Sequence, residues 1–465
     1  MNLIISKYLA SRGYEIVDTM SSHIQRFKSW YKGNVEGFHN YSIFNGAREI
    51  GVRRRTLQLG KIISEDIADY LFNEKCGVVI EDDTTREFVE TVFDKNLLRF
   101  KLNEYQEKKA ALGTVVYIPY YTAQGIKINF ATAENIAPLS WENGIISELC
   151  VFSKAIEVGK EYWFLQLFLC DEEGYYTIEN VLLRDNDDGN YTTIDLDTIA
   201  QYQDVEKMIE TNSQIKPFVV DRLNKANNID LDSPYGIALF ANALDAMEVC
   251  DVIFDSYFNE FNLGKKRVMV APEAMNTQTG KPVFDPNDLT FYLLPTAYDN
   301  DKSSRPYIQE IQMDIRSEEH IKSLQNALNV FSILCGFDAD YYIFDGRTIA
   351  TATQVISTES NTFRTIKKHE ALLEIVLKDL VKAIISVGER NGYPGLDIET
   401  EIKIQFDDSI FEDTGTEIKY KMAEVSAGIL DPVYYLAWRY NLTYEQAQKL
   451  LPNQGLGVDE MQEEL

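Results

Sequence analysis

Cysteine, histidine and positive charge are scarce in this chain, and each shortage excludes something. The five cysteines of its 465 residues (Cys76, Cys150, Cys170, Cys250, Cys335) lie far apart, with no Cys-x-x-Cys, which predicts free and mostly buried thiols. The four histidines (His23, His39, His320, His369) make no metal-ligand spacing, so a zinc site is not expected. Lys and Arg total 45 against 73 Asp and Glu, a formal charge of −28, which argues against a free-standing nucleic-acid binder. No run approaches the roughly 18 uninterrupted apolar residues of a membrane span. Glu15 and Asp18 interrupt the N-terminus too early for a signal peptide, and a soluble protein made in the cytoplasm is expected. Also missing are G-x-x-x-x-G-K-[ST], G-x-G-x-x-G and G-x-S-x-G, so neither an enzyme nor a cofactor is expected. With 73 acidic residues some pair always resembles a glycosidase dyad, and such a pair carries no weight.

What is present is apolar material: 45% hydrophobic residues, with 27 Tyr, 24 Phe and 4 Trp. That supports large cores, and the length suggests two to four structural units at roughly 100–200 residues each. Up to about residue 110 the chain reads as helices. Leu59, Ile62, Ile63, Ile67 and Leu71 recur at three- and four-residue intervals, the mark of an amphipathic helix. Arg53, Arg54 and Arg55 are read as a solvated face or as partners of nearby acids rather than as an anion site.

From Gly113 to about Asp197, runs such as TVVYIPYY, GIKINF and EYWFLQLFLC predict antiparallel strands. Tyr117, Tyr120, Tyr121, Tyr162 and Trp163 are read as sheet core rather than as a stacking platform. Asp185 to Asn190 has the texture of a calcium loop, but Gly189 stands where a ligand is needed, and a hairpin turn is the better reading. Residues 198–232 look like a linker with a short helix. The segment that follows reads as one helix over 233–264, roughly 45 Å long, with Ser233 as N-cap, Pro234 in the first turn and Gly264 at the end. Strand and turn character returns to about Pro306. A helix then spans 316–337, with Ile321, Leu324, Leu328, Phe331 and Leu334 as its stripe and Gly336 as its stop. Residues 338–350 read as a loop, 351–392 as a very long helix and 399–409 as a strand. Helices at about 415–427, 431–440 and 443–451 close the chain, with Asp431-Pro432 and Thr443 as start signals.

The fold class is therefore α+β, with long helices around a small loop-and-strand insertion. Helices of this kind suit a ring in which copies of one helix line a channel. The segments SWYKG (29–33), DIADYLFNEKCG (66–77), SPYGIALFANALDAMEVCDVIFDSYFNEFNLGKKRV (233–268), IRSEEHIKSLQNALNVFSILCGF (315–337) and TATQVISTESNTFRTIKKHE (351–370) carry a resemblance. In these the chain resembles the portal proteins of tailed bacteriophages, the siphophage type of Gram-positive hosts. The similarity covers about residues 20–450; Gly60 and Ile67 depart from the alanine and aromatic residue that it leads one to expect.

The resemblance implies a portal-type subunit assembling into a dodecameric ring. Its wing would take residues 1–232, stem helix 1 residues 233–264, the clip 265–306 and stem helix 2 residues 307–336. The tunnel loop would be 337–351, the long wing helix and a strand 352–413, and the helical crown and tail 414–465. It further implies a virion component at one capsid vertex, with the host cytoplasm as the place of assembly. Double-stranded DNA would pass through the channel, and the partners would be terminase, a major capsid or scaffolding protein and a head-completion (adaptor) protein, without a membrane. The tunnel loop would carry Asp338, Asp340, Tyr341, Tyr342, Asp345 and Arg347.

Acidic composition fits such a channel, because a basic lining would grip phosphates and an acidic one repels them over roughly 8–10 Å. Asp245, Glu248, Asp251, Asp255 and Glu260 are the candidate lining acids; being solvated or paired between subunits is their other reading. Arg347, then Lys265, Lys266 and Arg267, are candidates for DNA contact, while Lys265 and Lys266 equally complement a helix C-terminus and Arg347 equally stabilises a turn. Two other classes remain open: an oligomeric capsid or tail protein without a DNA channel, and an enzyme whose single pocket gathers perturbed carboxylates.

Overall fold

The apolar stripe at 59–71 becomes the buried face of a helix, and the same conversion builds most of the N-terminal part. The computed structural model describes residues 3–16, 19–44, 46, 48–73, 75–186, 189–263, 267–270, 291–293, 308–311, 314–344, 349–351, 360–406, 414–440 and 444–448. The chain forms two units, one of residues 1–352 with 365–406, the other of 353–364 with 407–465.

The first unit opens with α1 (Leu3–Ser11), α2 (Ser21–Tyr31), a hairpin of β1 (Asn40–Phe44) and β2 (Glu49–Arg53), then α3 (Leu59–Leu71), β3 (Gly77–Ile80), α4 (Asp83–Lys95) and α5 (Leu98–Leu112). Leu59, Ile63, Ile67 and Leu71 are buried along α3. A Cβ on Gly60 would stand 3.0 Å from the Trp30 carbonyl oxygen, so this glycine lets α3 lie directly against the backbone of α2.

Next come β4 (Thr114–Thr122), β5 (Gly125–Thr132), β6 (Ile136–Glu142), β7 (Ile145–Glu157), β8 (Lys160–Cys170), β9 (Tyr176–Asp185), β10 (Tyr191–Ile194), β11 (Met208–Glu210) and β12 (Val219–Arg222). A six-stranded antiparallel sheet runs β10-β9-β8-β7-β6 with β11 also on β9, and a three-stranded one runs β12-β4-β5. Successive side chains of a strand face opposite layers. Thus Cys150, Phe152, Leu165 and Leu167 pack under Ile4, Ile5 and Leu9 of α1, while Leu149, Val151 and Phe168 pack with Val116 and Ile118 of β4. Gly189 takes the positive φ of the turn between β9 and β10. The stretch 198–232 is no simple linker: it adds β11 to one sheet and β12 to the other, edge strands too short to show a period. Tyr117 and Tyr162 are core, but Tyr120 and Tyr121 stand exposed at the end of β4, a correction to the reading of all five aromatics as core.

The expected helix over 233–264 is the largest correction. Residues 233–240 are not helical; a 3₁₀ turn at Ala241–Ala243 leads into α6 (Leu244–Leu263), whose 20 residues span about 30 Å. Tertiary bonds replace the helical ones. The Leu239 N–H donates to the Ala110 carbonyl (2.8 Å), the Gly236 N–H to Thr114 Oγ1 (2.9 Å) and the Tyr235 hydroxyl to the Ile136 carbonyl (2.8 Å). Ile237, Leu239 and Phe240 are buried as a result. Gly236 meets Gly113 so closely that a Cβ on either would overlap the other's carbonyl oxygen.

Beyond α6, β13 (Arg267–Val270), β14 (Phe291–Leu293) and β15 (Ile308–Ile311) form a sheet in the order β14-β13-β15. Residues 308–311, expected in stem helix 2, are thus a strand, and the helix is α7 (Ser317–Cys335), ended by Gly336 in the left-handed conformation. The expected loop over 338–350 contains a hairpin of β16 (Tyr342–Phe344) and β17 (Ile349–Thr351). Then α8 (Asn361–Arg390) buries Ile366, Leu373, Leu377, Leu380 and Ile384, and β18 (Ile402–Gln405) pairs with β3. The expected start of that long helix, over 352–359, lies outside the described residues. In the second unit, α9 (Thr414–Ser426) and α10 (Pro432–Tyr440) lie within one residue of the expected boundaries, α11 (Tyr444–Gln448) falls inside the expected 443–451, whose last three residues lie outside the described residues, and the Asp431 carboxylate accepts the Val433 N–H at 2.8 Å. No helix among the described residues is long and apolar enough to cross a membrane.

Because no side chain at 236 can fit against Gly113 without moving backbone, Gly236→Ala is expected to cost about 1–3 kcal/mol of unfolding free energy, read by urea denaturation.

Candidate functional site

The candidate site is the pair α6 and α7 with the hairpin that follows. Heptad-like spacing puts Met247, Cys250, Asp251 and Asp255 of α6 inward, and the two carboxylates lie on one face because they are four residues apart. They meet the strap that leads from β2 to α3. Asp251 accepts the Leu57 N–H at 2.7 Å and His39 Nε2 at 2.9 Å. The Val35 N–H donates to His39 Nδ1 at 2.8 Å, which places the ring proton on Nε2 and makes that nitrogen the donor to Asp251. Asp255 accepts the Arg55 N–H at 3.1 Å and the Asn259 side-chain N–H at 3.1 Å. Arg54 donates to the Phe38 carbonyl at 2.8 Å, with its guanidinium 4.1 Å from the Phe38 ring centre. Arg55 is thereby the partner of a nearby acid, as the sequence suggested, whereas Arg54 meets a carbonyl and aromatic rings instead.

At its other end α6 is clamped to the start of α7. Glu260 receives Arg316 Nε at 3.0 Å and Nη2 at 3.2 Å, with His320 Nε2 at 3.7 Å. The Arg316 guanidinium holds the Glu260 carboxyl down to about 2. Three of the five acids expected on a channel wall are therefore tied up inside the protomer, and Asp251, only 2% exposed, cannot line anything. Asp245 is exposed, and Glu248 is partly exposed with Arg26 at 3.8 Å. The outward stripe of α6 is Asp245, Val249, Val252 and Ser256.

In the loop region Asp340 is exposed and Asp338 half-buried, but Tyr341 and Tyr342 are core. The Tyr342 hydroxyl donates to Asp66 at 2.6 Å, the Tyr341 hydroxyl meets that of Tyr70 at 2.9 Å, and the Tyr341 ring stacks on Phe337 at 4.6 Å. Burial pushes the Asp66 carboxyl up to about 6, against the tyrosine hydrogen bonds that pull it down. The Gln325 amide clamps β16 from α7, donating to the Tyr342 carbonyl (2.7 Å) and accepting the Phe344 N–H (2.8 Å). This hairpin is thus fastened at its base to both α3 and α7. Asp345, Arg347, Lys265 and Lys266 lie outside the described residues, and Arg267 opens β13, where only its backbone is described.

Sequence reasoning missed His39, Asp66, Tyr70 and Gln325. Asp251 interrupts the buried apolar positions of α6 beside Met247 and Cys250, a signal that points inward rather than to a lumen. Chemically these carboxylates are saturated by fixed donors, so they act as fasteners of the helix pair. The family model for phage portal proteins of the SPP1 Gp6-like type matches residues 15–454. The chain belongs to this family. No curated protein matches it. As a member of a structural family, this portal-family chain is a capsid-vertex component of a phage particle, and the family implies an oligomeric ring associated with DNA and capsid.

Two consequences can be measured. Asp251→Ala strands the Leu57 N–H and the His39 Nε2–H, and should cost about 3 kcal/mol in urea denaturation, where a surface acid would cost under about 0.5 kcal/mol. Because the folded Glu260 carboxyl titrates at about 2 instead of 4.5, its contribution is complete above pH 4.5 and is lost as the pH falls through about 2. In thermal melts the wild type should therefore exceed Glu260→Gln at pH 5–6, and the difference should vanish towards pH 2.

Proposed function

We propose that this chain forms the ring-shaped channel at the portal vertex through which double-stranded DNA enters during packaging and leaves during ejection. The observation that carries the reading is the family match over residues 15–454, nearly the whole chain. In this reading the subunits assemble in the host cytoplasm, and the ring is dodecameric. Residues 265–306 form the clip that docks terminase and later a head-completion protein, and the wing meets the major capsid or scaffolding protein.

The helix pair supplies the wall. A channel wall must keep its shape while a charged polymer slides past, and the Asp251, Asp255 and Glu260 bonds fasten α6 to the strap and to α7. With those acids engaged, Asp245 and Glu248 are the α6 carboxylates left to face DNA, and the net charge of −28 supplies a general repulsion of phosphate. Arg347 is the candidate for a direct phosphate contact from the loop at 337–351, with Lys265, Lys266 and Arg267 next.

Native mass spectrometry with negative-stain imaging of the purified protein tests this. A closed ring of about a dozen copies with a central hole that passes duplex DNA is expected. A closed assembly without such a hole would overturn the channel and leave an oligomeric capsid or tail protein.

A further inference from the structure

The hairpin β1–β2 carries an apolar face that the described residues leave open. Its register sets Ile43 opposite Ile50 and Tyr41 opposite Val52. Directly opposed and alternate residues share a face, so these four form one apolar patch. Tyr41 and Val52, near the root, are half-buried, but Ile43 is 47% and Ile50 36% exposed, and Phe44 at the tip is 70% exposed. Among the described residues the hairpin pairs with no third strand. A two-stranded hairpin alone is marginal in water, and exposed edges and apolar faces are surfaces that bind.

Its root, by contrast, is fixed. The Arg54 N–H donates to the His39 carbonyl at 2.7 Å, and the strap just beyond is held by Asp251 and Asp255. Beside the root lies an open groove of about 440 Å³ lined by Arg53, Arg54, Arg55, Thr56, Phe254 and Phe258. Arg48, Arg53, Arg54 and Arg55 fall within eight residues that hold one acid, Glu49, in a chain whose net charge is −28; Asp255 answers Arg55, and Arg53 stands exposed.

We propose that this hairpin and the arginine groove at its root dock on an acidic part of the surface of a second copy of the chain, as the contact between successive subunits. The inference deepens the ring reading and rests on it. Two bodies of charge −28 repel, so their contact is most favourable where one presents its positive patch to the acidic surface of the other. The same patch set against itself would put arginine on arginine. The patch therefore cannot lie on a two-fold axis, and docking on a different, acidic region of the next copy allows head-to-tail association, the kind that closes into rings.

The test uses the full chain and two variants of exposed side chains, Ile43→Asp/Ile50→Asp and Arg53→Glu, with assembly followed by native mass spectrometry and sedimentation across a salt series. Far-UV circular dichroism and thermal melting report folding. Both variants should keep the wild-type circular dichroism and raise the concentration for half-assembly at least tenfold. Added salt screens both the general repulsion and the arginine contact, so Arg53→Glu, which removes the attraction, should shift the dependence towards assembly that salt favours. Should the double variant unfold, Arg53→Glu and Phe44→Ser, at exposed positions of the same hairpin, decide the matter. Rings that form at an unchanged concentration in the folded variants overturn the hairpin contact and leave the ring reading standing. A wild type that never assembles, or stops at a two-fold dimer, overturns the ring reading and the contact with it.

Discussion

Two buried carboxylates on one helix hold this structure's functional region in place. Asp251 and Asp255 accept backbone N–H groups from Leu57 and Arg55, and Asp251 also takes the His39 imidazole. A carboxylate removed from water is costly unless donors replace its hydration, and here backbone amides do so with fixed geometry. The consequence reaches in both directions. The strap from 54 to 57 links the root of the β1–β2 hairpin to the start of α3, and its bonds to α6 fix that helix, which also pairs with α7.

A second polar fastening governs the loop that follows α7. The Tyr342 bond to Asp66 and the Tyr341 contact with Tyr70 bind it to α3, and the Gln325 amide binds the same strand to α7. Elsewhere in the first unit, Lys109 and Asp221 form a buried ion pair at 2.9 Å, with the Gln106 and Tyr117 side chains also donating to that carboxylate. Removing one partner of such a pair typically costs about 3–5 kcal/mol, because the other is left as an uncompensated charge. Each of these clusters joins segments distant in sequence, so polar groups rather than apolar area set the register between elements.

Local signals were legible where a single element expresses them. The three- and four-residue rhythm at Leu59, Ile63, Ile67 and Leu71, the Gly336 stop, the Asp431-Pro432 start and the alternation through 114–185 all act within a few residues. Residues 233–240 failed the same reasoning. Ser233 and Pro234 are good opening signals for a helix, but Ser233 Oγ accepts the N–H of Tyr235 in a short turn, and the close meeting of Gly236 with Gly113 holds the backbone out of helical form. Propensity is a weak prior, and tertiary bonds overrode it.

The sequence by itself determined the α+β class, the strand-rich middle, the long helices, the acidic character and the family, because composition, periodicity and motif order are properties of neighbouring residues. Only the tertiary structure decided which acids face inward. Asp245, Glu248, Asp251, Asp255 and Glu260 look alike along one helix, and they part company because the strap and Arg316 come from elsewhere in the chain to meet three of them.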